Sequence, residues 1–246
     1  MSDFTMTYFK KYILLVGLIF PLLSFAGTSF FIKNEGILID EKGKQIEGVE
    51  YFFKGKSFDV YFHKDKISYV FKKSKYNKEV NPIFNGLNPS YSVLRYRVDL
   101  EFLFLKKAKI LFKKPVEINH KYLNTSVGEL TIKNGYQEIV YKNIYEGIDL
   151  RFYFQNDLLK YDFIVYPNGD YKDIKMKYSG AESVINKSSK IIIKTPLGNL
   201  EETIPEIYQQ TILGKENILG NYVLEKGVIS FQIENYKSNQ KLIIDP

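Results

Sequence analysis

Two carboxylates, Asp149 and Asp162, stand thirteen positions apart in NIYEGIDLRFYFQNDLLKYDFIV, residues 143–165. Carboxylates brought together can serve as general acid and base, provided that the surroundings hold one of them protonated. The element that positions them decides the matter. Apolar and polar residues alternate on both sides of Asn156-Asp157, so the segment reads as a β-hairpin with a two-residue turn. Asn and Asp tolerate the positive φ that such a turn demands. The register follows. Phe154 faces Leu159, Phe152 faces Tyr161, Leu150 faces Phe163 and Ile148 faces Val165, all apolar and all on one side. On the other side Tyr153 meets Lys160, Arg151 meets Asp162 and Asp149 meets Ile164. That second side is expected to be the outer, solvated face. Asp162 then has Arg151 as a cross-strand partner, worth about 0.2–1 kcal/mol, and Asp149 shares the same guanidinium diagonally. A neighbouring Arg lowers a carboxyl pKa, the opposite of what a general acid needs. Asp149, Arg151 and Asp162 are therefore expected to be structural parts of the hairpin, and no catalytic residue is assigned.

Other chemistry is sparse. The two histidines, His63 and His120, show no HxH or HExxH spacing, which leaves no zinc motif. The chain has no Cys, which excludes disulfides, thiolate metal sites and a cysteine nucleophile. Gly-containing stretches such as GKQIEG and NGLNPS lack phosphate-loop and dinucleotide spacing, and no Ser lies in a nucleophile-elbow pattern. DEKGKQIEG brings carboxylates near glycines without the alternating Asp/Asn ligands of a calcium loop. No metal ligand and no cofactor-binding residue is assigned.

The rest of the chain reads as strands. Aromatics make up 16% of 246 residues, with 20 Tyr, 19 Phe and no Trp. Tyr, Phe, Ile and Val favour the pleated sheet. FDVYFHKDKISYVF alternates around Lys64-Asp65-Lys66, and YRVDLEFLFL places Val98, Leu100, Phe102 and Phe104 on one face. SVINKSSKIIIKT and NYVLEKGVISFQIENY read as further hairpins, the latter turning at Lys226-Gly227, and TPLGNLEE holds a Pro/Gly turn. The polar stretch at residues 74–92, with two Asn-Pro steps, is expected to be a loop. The fold class is all-β, an antiparallel sandwich built from hairpins. Alternation weakens around INHKYLNTSVGEL, which suggests two packed β units, residues 27–125 and 126–246; one continuous sandwich is the alternative.

At the N-terminus, Lys10 and Lys11 precede an apolar run from Tyr12 to Phe25 and a small residue at Ala26. This is a signal-peptide layout with cleavage expected after Ala26. The apolar run would span only about 21 Å as a helix, short of the roughly 30 Å hydrocarbon core. No other stretch is long and apolar enough to span a bilayer. Net charge is +7, but the lysines are scattered along strands rather than clustered, so nucleic acid is not an expected partner.

Read in order, NIYEGIDLRFYF, LKYDFIVYPNGD, IKMKYSGAE, IIIKTPLGNLEETIPEIYQ, NYVLEKGVISFQI and the terminal LIIDP resemble the uncharacterised N-terminal domain of bacterial surface proteins that carry SBBP β-propeller repeats. Related proteins of gliding bacteria with type IX secretion sorting domains carry it too. The resemblance covers nearly the whole chain after Ala26 and is strongest from Tyr141 to Pro246. The chain departs from the family pattern at Asn156-Asp157, where Gly is frequent, and at residues 72–95. The resemblance implies a secreted or cell-surface β module with no established activity. It also implies a partner, an attached β-propeller or other surface module. The expected function is adhesion, display or structural support. A carbohydrate-binding or polysaccharide-processing domain that meets a surface glycan is the alternative. Tyr allows it, but sugar platforms favour Trp, which is absent.

Overall fold

The computed structural model describes residues 29–40, 44–76, 91–106, 108–124, 128–212 and 214–246. The expected signal segment and the centre of the polar loop lie outside them. The first strands are β1 (Ile32–Lys33), β2 (Tyr51–Lys54), β3 (Phe58–Phe62), β4 (Lys66–Tyr76) and β5 (Tyr91–Phe102). They are followed by β6 (Lys109–Asn124), β7 (Gly128–Tyr145), β8 (Ile148–Gln155) and β9 (Leu158–Val165). A 3₁₀ turn at Tyr171–Asp173 leads to β10 (Met176–Ser179), β11 (Ser183–Lys187), β12 (Lys190–Thr195) and β13 (Gly198–Glu202). The chain finishes with β14 (Glu206–Thr211), β15 (Gly214–Ile218), β16 (Gly220–Glu225), β17 (Val228–Ile233) and β18 (Leu242–Asp245).

The strands form three antiparallel sheets. One runs β1-β2-β3-β4-β5-β10-β17-β16, a second β15-β14-β18-β9-β8-β7-β6, and a small third β11-β12-β13. Side-chain alternation puts Val60, Phe62, Ile67, Val98 and Leu100 of the first sheet and Ile148, Leu150, Phe152, Phe163 and Ile244 of the second into one core. Phe62 meets Phe152 across that core edge to face, with ring centres 5.1 Å apart. Phe163 likewise faces Phe102 and Phe231. The sheets also join at an edge, because only Leu219 separates β15 of one sheet from β16 of the other. Gly220 makes that corner possible. A Cβ there would lie 2.5 Å from Ile207 Cδ1 and 2.9 Å from the Gln232 carbonyl oxygen.

The hairpins follow the alternation. In β8–β9, Arg151 pairs with Asp162 and Leu150 with Phe163 across a turn whose two residues, Asn156 and Asp157, both have positive φ. Ser188-Ser189 and Lys226-Gly227 turn in the same way. Three expectations need correction. Phe104 does not continue the apolar face of β5, because the chain leaves the strand after Phe102; Phe104 takes φ 58° and is 89% exposed. The ends of the polar stretch are strand rather than loop, since Ser74 pairs with Val93, Lys75 with Ser92 and Tyr76 with Tyr91. The division near residue 125 does not separate two sheets. It falls between β6 and β7, which pair with each other, and β10, β16 and β17 complete the sheet begun by β1–β5. The weakened alternation there marks a register shift between Glu117 and His120.

Leu150 is fully buried between the sheets. Replacing it with Ala should cost about 2–5 kcal/mol, because the packed aromatic neighbours cannot close the gap. Urea unfolding of wild type and variant measures this, and a loss under about 1 kcal/mol would be incompatible with the packing described.

Candidate functional site

The register of β8–β9 sends Asp149 and Asp162 away from the core, onto the outer face of the second sheet. They are nevertheless buried there, at 2% and 1% exposure. That corrects the expectation of a solvated face. Long side chains lie flat over the sheet and cover the carboxylates. The Arg151 guanidinium bonds Asp162, and the Tyr153 hydroxyl donates to the same carboxylate at 3.0 Å. The Arg151 plane also lies 4.7 Å over the Tyr153 ring. Burial pushes the Asp162 carboxyl above its ordinary value, against the pull of Arg151 and Tyr153. The expected downward shift from a neighbouring Arg is therefore overridden by desolvation.

Asp149 does not share Arg151. It accepts from Lys142, from the Tyr166 hydroxyl at 3.0 Å and from the Asn143 backbone N–H at 2.9 Å. Asn143 has φ 54° and lies inside the irregular stretch where β7 loses register with β8, between Tyr141 and Tyr145. Asp149 thus pins a bulge. The hydrogen bond to Asp149 raises the Lys142 pKa. Each carboxylate is occupied by donors of its own sheet, with Tyr166 just after β9 added at Asp149, and the two do not share a partner.

Two further constellations were not visible from motif spacing. In the first, His63 Nδ1 lies 3.0 Å from the Gly48 carbonyl and Nε2 lies 3.0 Å from Ser68 Oγ. A carbonyl only accepts, so Nδ1 carries the proton. Ser68 is the cross-strand partner of Asp99, which Arg97 grips with two hydrogen bonds of 2.6 and 2.8 Å and Lys66 with one of 2.9 Å. Burial opposes the Asp99 charge, yet these donors and Ser68 hold its carboxyl down to about 2. Burial, with Lys66 and Arg97 nearby, lowers the pKa of His63. The other histidine, His120, lies in β6 opposite Ile132, far along the chain pairing from this cluster.

The second constellation surrounds Glu202. Its strand partner is Ile191, a core residue, so Glu202 occupies a position where the alternation calls for an apolar side chain. That was the one available signal. The Tyr178 hydroxyl of β10 donates to Glu202 Oε1, and the Tyr161 hydroxyl of β9, which lies 4.0 Å from Met176 Sδ, is near enough to act on the same carboxylate. Among the described residues Glu202 has no salt-bridging cation; Lys160 acts on it only at longer range. Burial pushes its carboxyl up, against those two hydroxyls. One acidic side chain of the small sheet is thereby bonded to the first large sheet and neighboured by the second. A cavity of about 130 Å³ opens beside it, lined by Phe58, Tyr69, Lys160, Tyr161 and Glu201 among others.

Among the described residues, no group of three or more His, Cys, Asp or Glu side chains is placed to hold a metal ion. No helix among them is long and apolar enough to cross a membrane. A family model described as Domain of unknown function (DUF7948) matches residues 31–246. The chain belongs to this family. No curated protein and no solved structure matches it. The match takes in all three sheets of the DUF7948 domain, from Phe31 in the core to the terminal strand β18.

Two outcomes follow. Asp149→Asn should destabilise the domain by about 1–3 kcal/mol, because a buried acceptor of three bonds loses its charge and part of its capacity; denaturant melts measure it. For Glu202 the sign is fixed by the raised folded pKa. Its contribution to stability is complete below its ordinary value of 4.5 and is lost as pH rises through the folded value. Thermal melts from about pH 4 to about pH 9 should therefore show Glu202→Gln gaining on wild type as pH rises. A difference that stays flat across that range would contradict the burial of an uncompensated carboxyl.

Proposed function

We propose that the chain is a non-catalytic β module that works outside the cell or on its surface, in adhesion, display or support of a larger surface protein. The observation that carries this reading is the use of Asp149 and Asp162. Each is held by a cation and a tyrosine hydroxyl from its own sheet or the segment just after it, an arrangement that fixes strands and leaves neither carboxylate free to exchange a proton with a substrate. The basic, apolar and small-residue order at residues 10–26 supports export. The resemblance to the opening domain of SBBP-repeat surface proteins supports an attached β-propeller or similar surface module as the partner. The tyrosines of the outer face argue against the carbohydrate reading. Tyr153, Tyr166 and Tyr208 each carry a cation over the ring, at 4.7, 5.2 and 3.9 Å, and do not form a bare stacking platform.

Protease treatment of intact producing cells, followed by detection of this domain, tests the reading. The domain should be degraded without lysis, and its N-terminus should be Gly27. Protection in intact cells, or recovery with residues 1–26 still attached, would overturn it. A pull-down on insoluble polysaccharide should show no retention, and saturable retention would favour the carbohydrate alternative.

A further inference from the structure

The Glu202 cavity holds an imbalance that the rest of the fold avoids. Asp59, Glu138, Asp149 and Asp162, the other buried carboxylates among the described residues, each have at least one Lys or Arg in direct contact. Glu202 is also buried and has the Tyr178 hydroxyl instead, with that of Tyr161 nearby. Hydroxyl donors satisfy the oxygens but bring no compensating charge. Lys160, the cation on the cavity wall among the described residues, is already committed. Its Nζ lies 2.8 Å from Asp245 Oδ1, an ion pair without hydrogen-bond alignment, and donates to the Pro246 carbonyl at 3.2 Å. Glu201 adds a second carboxylate at the rim. The cavity is thus negative overall once Glu202 ionises.

Its walls add a second feature. Phe58, Tyr69 and Tyr161 present aromatic surface to the same space as Glu202. Aromatic rings attract cations, most strongly where water is excluded. Tyr222 lies in the electrostatic neighbourhood of Glu202 and carries a buried hydroxyl with no hydrogen-bond partner. A hard metal ion does not suit these donors, since calcium asks for six to eight oxygens and magnesium for an octahedron of them. A carboxylate beside aromatic rings in a small half-closed space suits an organic cation.

We propose that this cavity binds a small protonated primary amine, with the ammonium on the Glu202 carboxylate and its short apolar chain against Phe58, Tyr69 and Tyr161. Binding is proton-linked. The groups that face Glu202 are the hydroxyls of Tyr161 and Tyr178, with Tyr69, Tyr222 and Lys160 further off. Burial pushes the hydroxyls of Tyr69, Tyr161, Tyr178 and Tyr222 well above their ordinary value, so none of these tyrosines loses a proton before Glu202 does. Burial holds the Glu202 proton, and the ammonium displaces it, so affinity rises with pH until Glu202 is ionised in the free protein. The amine itself stays charged up to about pH 9, as a lysine does.

The test is an NMR titration of the full chain with n-propylammonium chloride, against sodium chloride at equal ionic strength. Saturable shifts should appear around the cavity with the amine alone. The association constant should climb about tenfold per pH unit below the folded pKa of Glu202 and then level off. Glu202→Gln should weaken binding at least tenfold and remove the pH dependence, whereas Glu201→Gln should leave both in place. Thr203→Lys, at an exposed position on the rim, leaves Glu202 intact and tethers a competing ammonium beside it. It should weaken propylammonium at least tenfold, and it carries the test if Glu202→Gln fails to fold. No saturable response beyond sodium chloride in the wild type, or unchanged affinity in a folded Glu202→Gln or in Thr203→Lys, overturns the proposal.

Discussion

The register of the β8–β9 hairpin is the constraint on which the second sheet depends. Two consecutive positive-φ residues, Asn156 and Asp157, close the turn and fix which residues oppose each other. Side chains alternate with period two, so a slip of one residue would drive Arg151 and Asp162 into the core and lift Leu150 and Phe163 out of it. The hairpin also seats its neighbours. β8 receives β7, and β9 receives β18, whose Ile244 lies opposite Phe163 and points into the same core. Through Phe152 and Phe163 the hairpin meets Phe62, Phe102 and Phe231 of the facing sheet.

Buried charge is handled in two ways, and the difference separates structure from chemistry. On the outer face, Asp149 and Asp162 sit under a layer of Arg, Lys and Tyr side chains that neutralises them. Removing either partner leaves the other exposed to the full cost of desolvation, which is why such pairs are stiff. Near the meeting of the sheets, Glu202 is held by the Tyr178 hydroxyl and, among the described residues, by no cation. Its charge state is then set by pH and by whatever else enters the adjoining cavity. The first arrangement resists change, and the second invites it.

Much of the local pairing was legible in the sequence, because a hairpin's register is fixed by a few adjacent residues. The polar turns at Asn156-Asp157, in the Asn-Lys-Ser-Ser stretch at residues 186–189 and at Lys226-Gly227, and the flanking alternation, sufficed. The burial of Asp149 and Asp162 was not legible. It comes from Lys142 on β7, Tyr166 after β9 and the flattened Arg151 and Tyr153, and their convergence is a property of the assembled sheet. The same holds for His63 just after β3, Ser68 on β4 and Asp99 on β5, which meet only when β3, β4 and β5 are paired. The division near residue 125 failed for a related reason. A register shift in a long hairpin weakens alternation just as a linker does, and only the pairing of β6 with β7 distinguishes them. Glu202 lay between these cases, since its in-phase position opposite Ile191 could be read once the β12–β13 turn was placed.

The most direct test of the central claim is a double-mutant cycle on Arg151→Met and Asp162→Asn, read by denaturant unfolding. If the register and the covered outer face are as described, the two side chains are coupled, and the interaction energy should be about 1–3 kcal/mol, with the double variant less damaged than the sum of the singles. A coupling indistinguishable from zero would mean that Arg151 and Asp162 do not meet, and the register from which the rest of the sheet is built would be wrong.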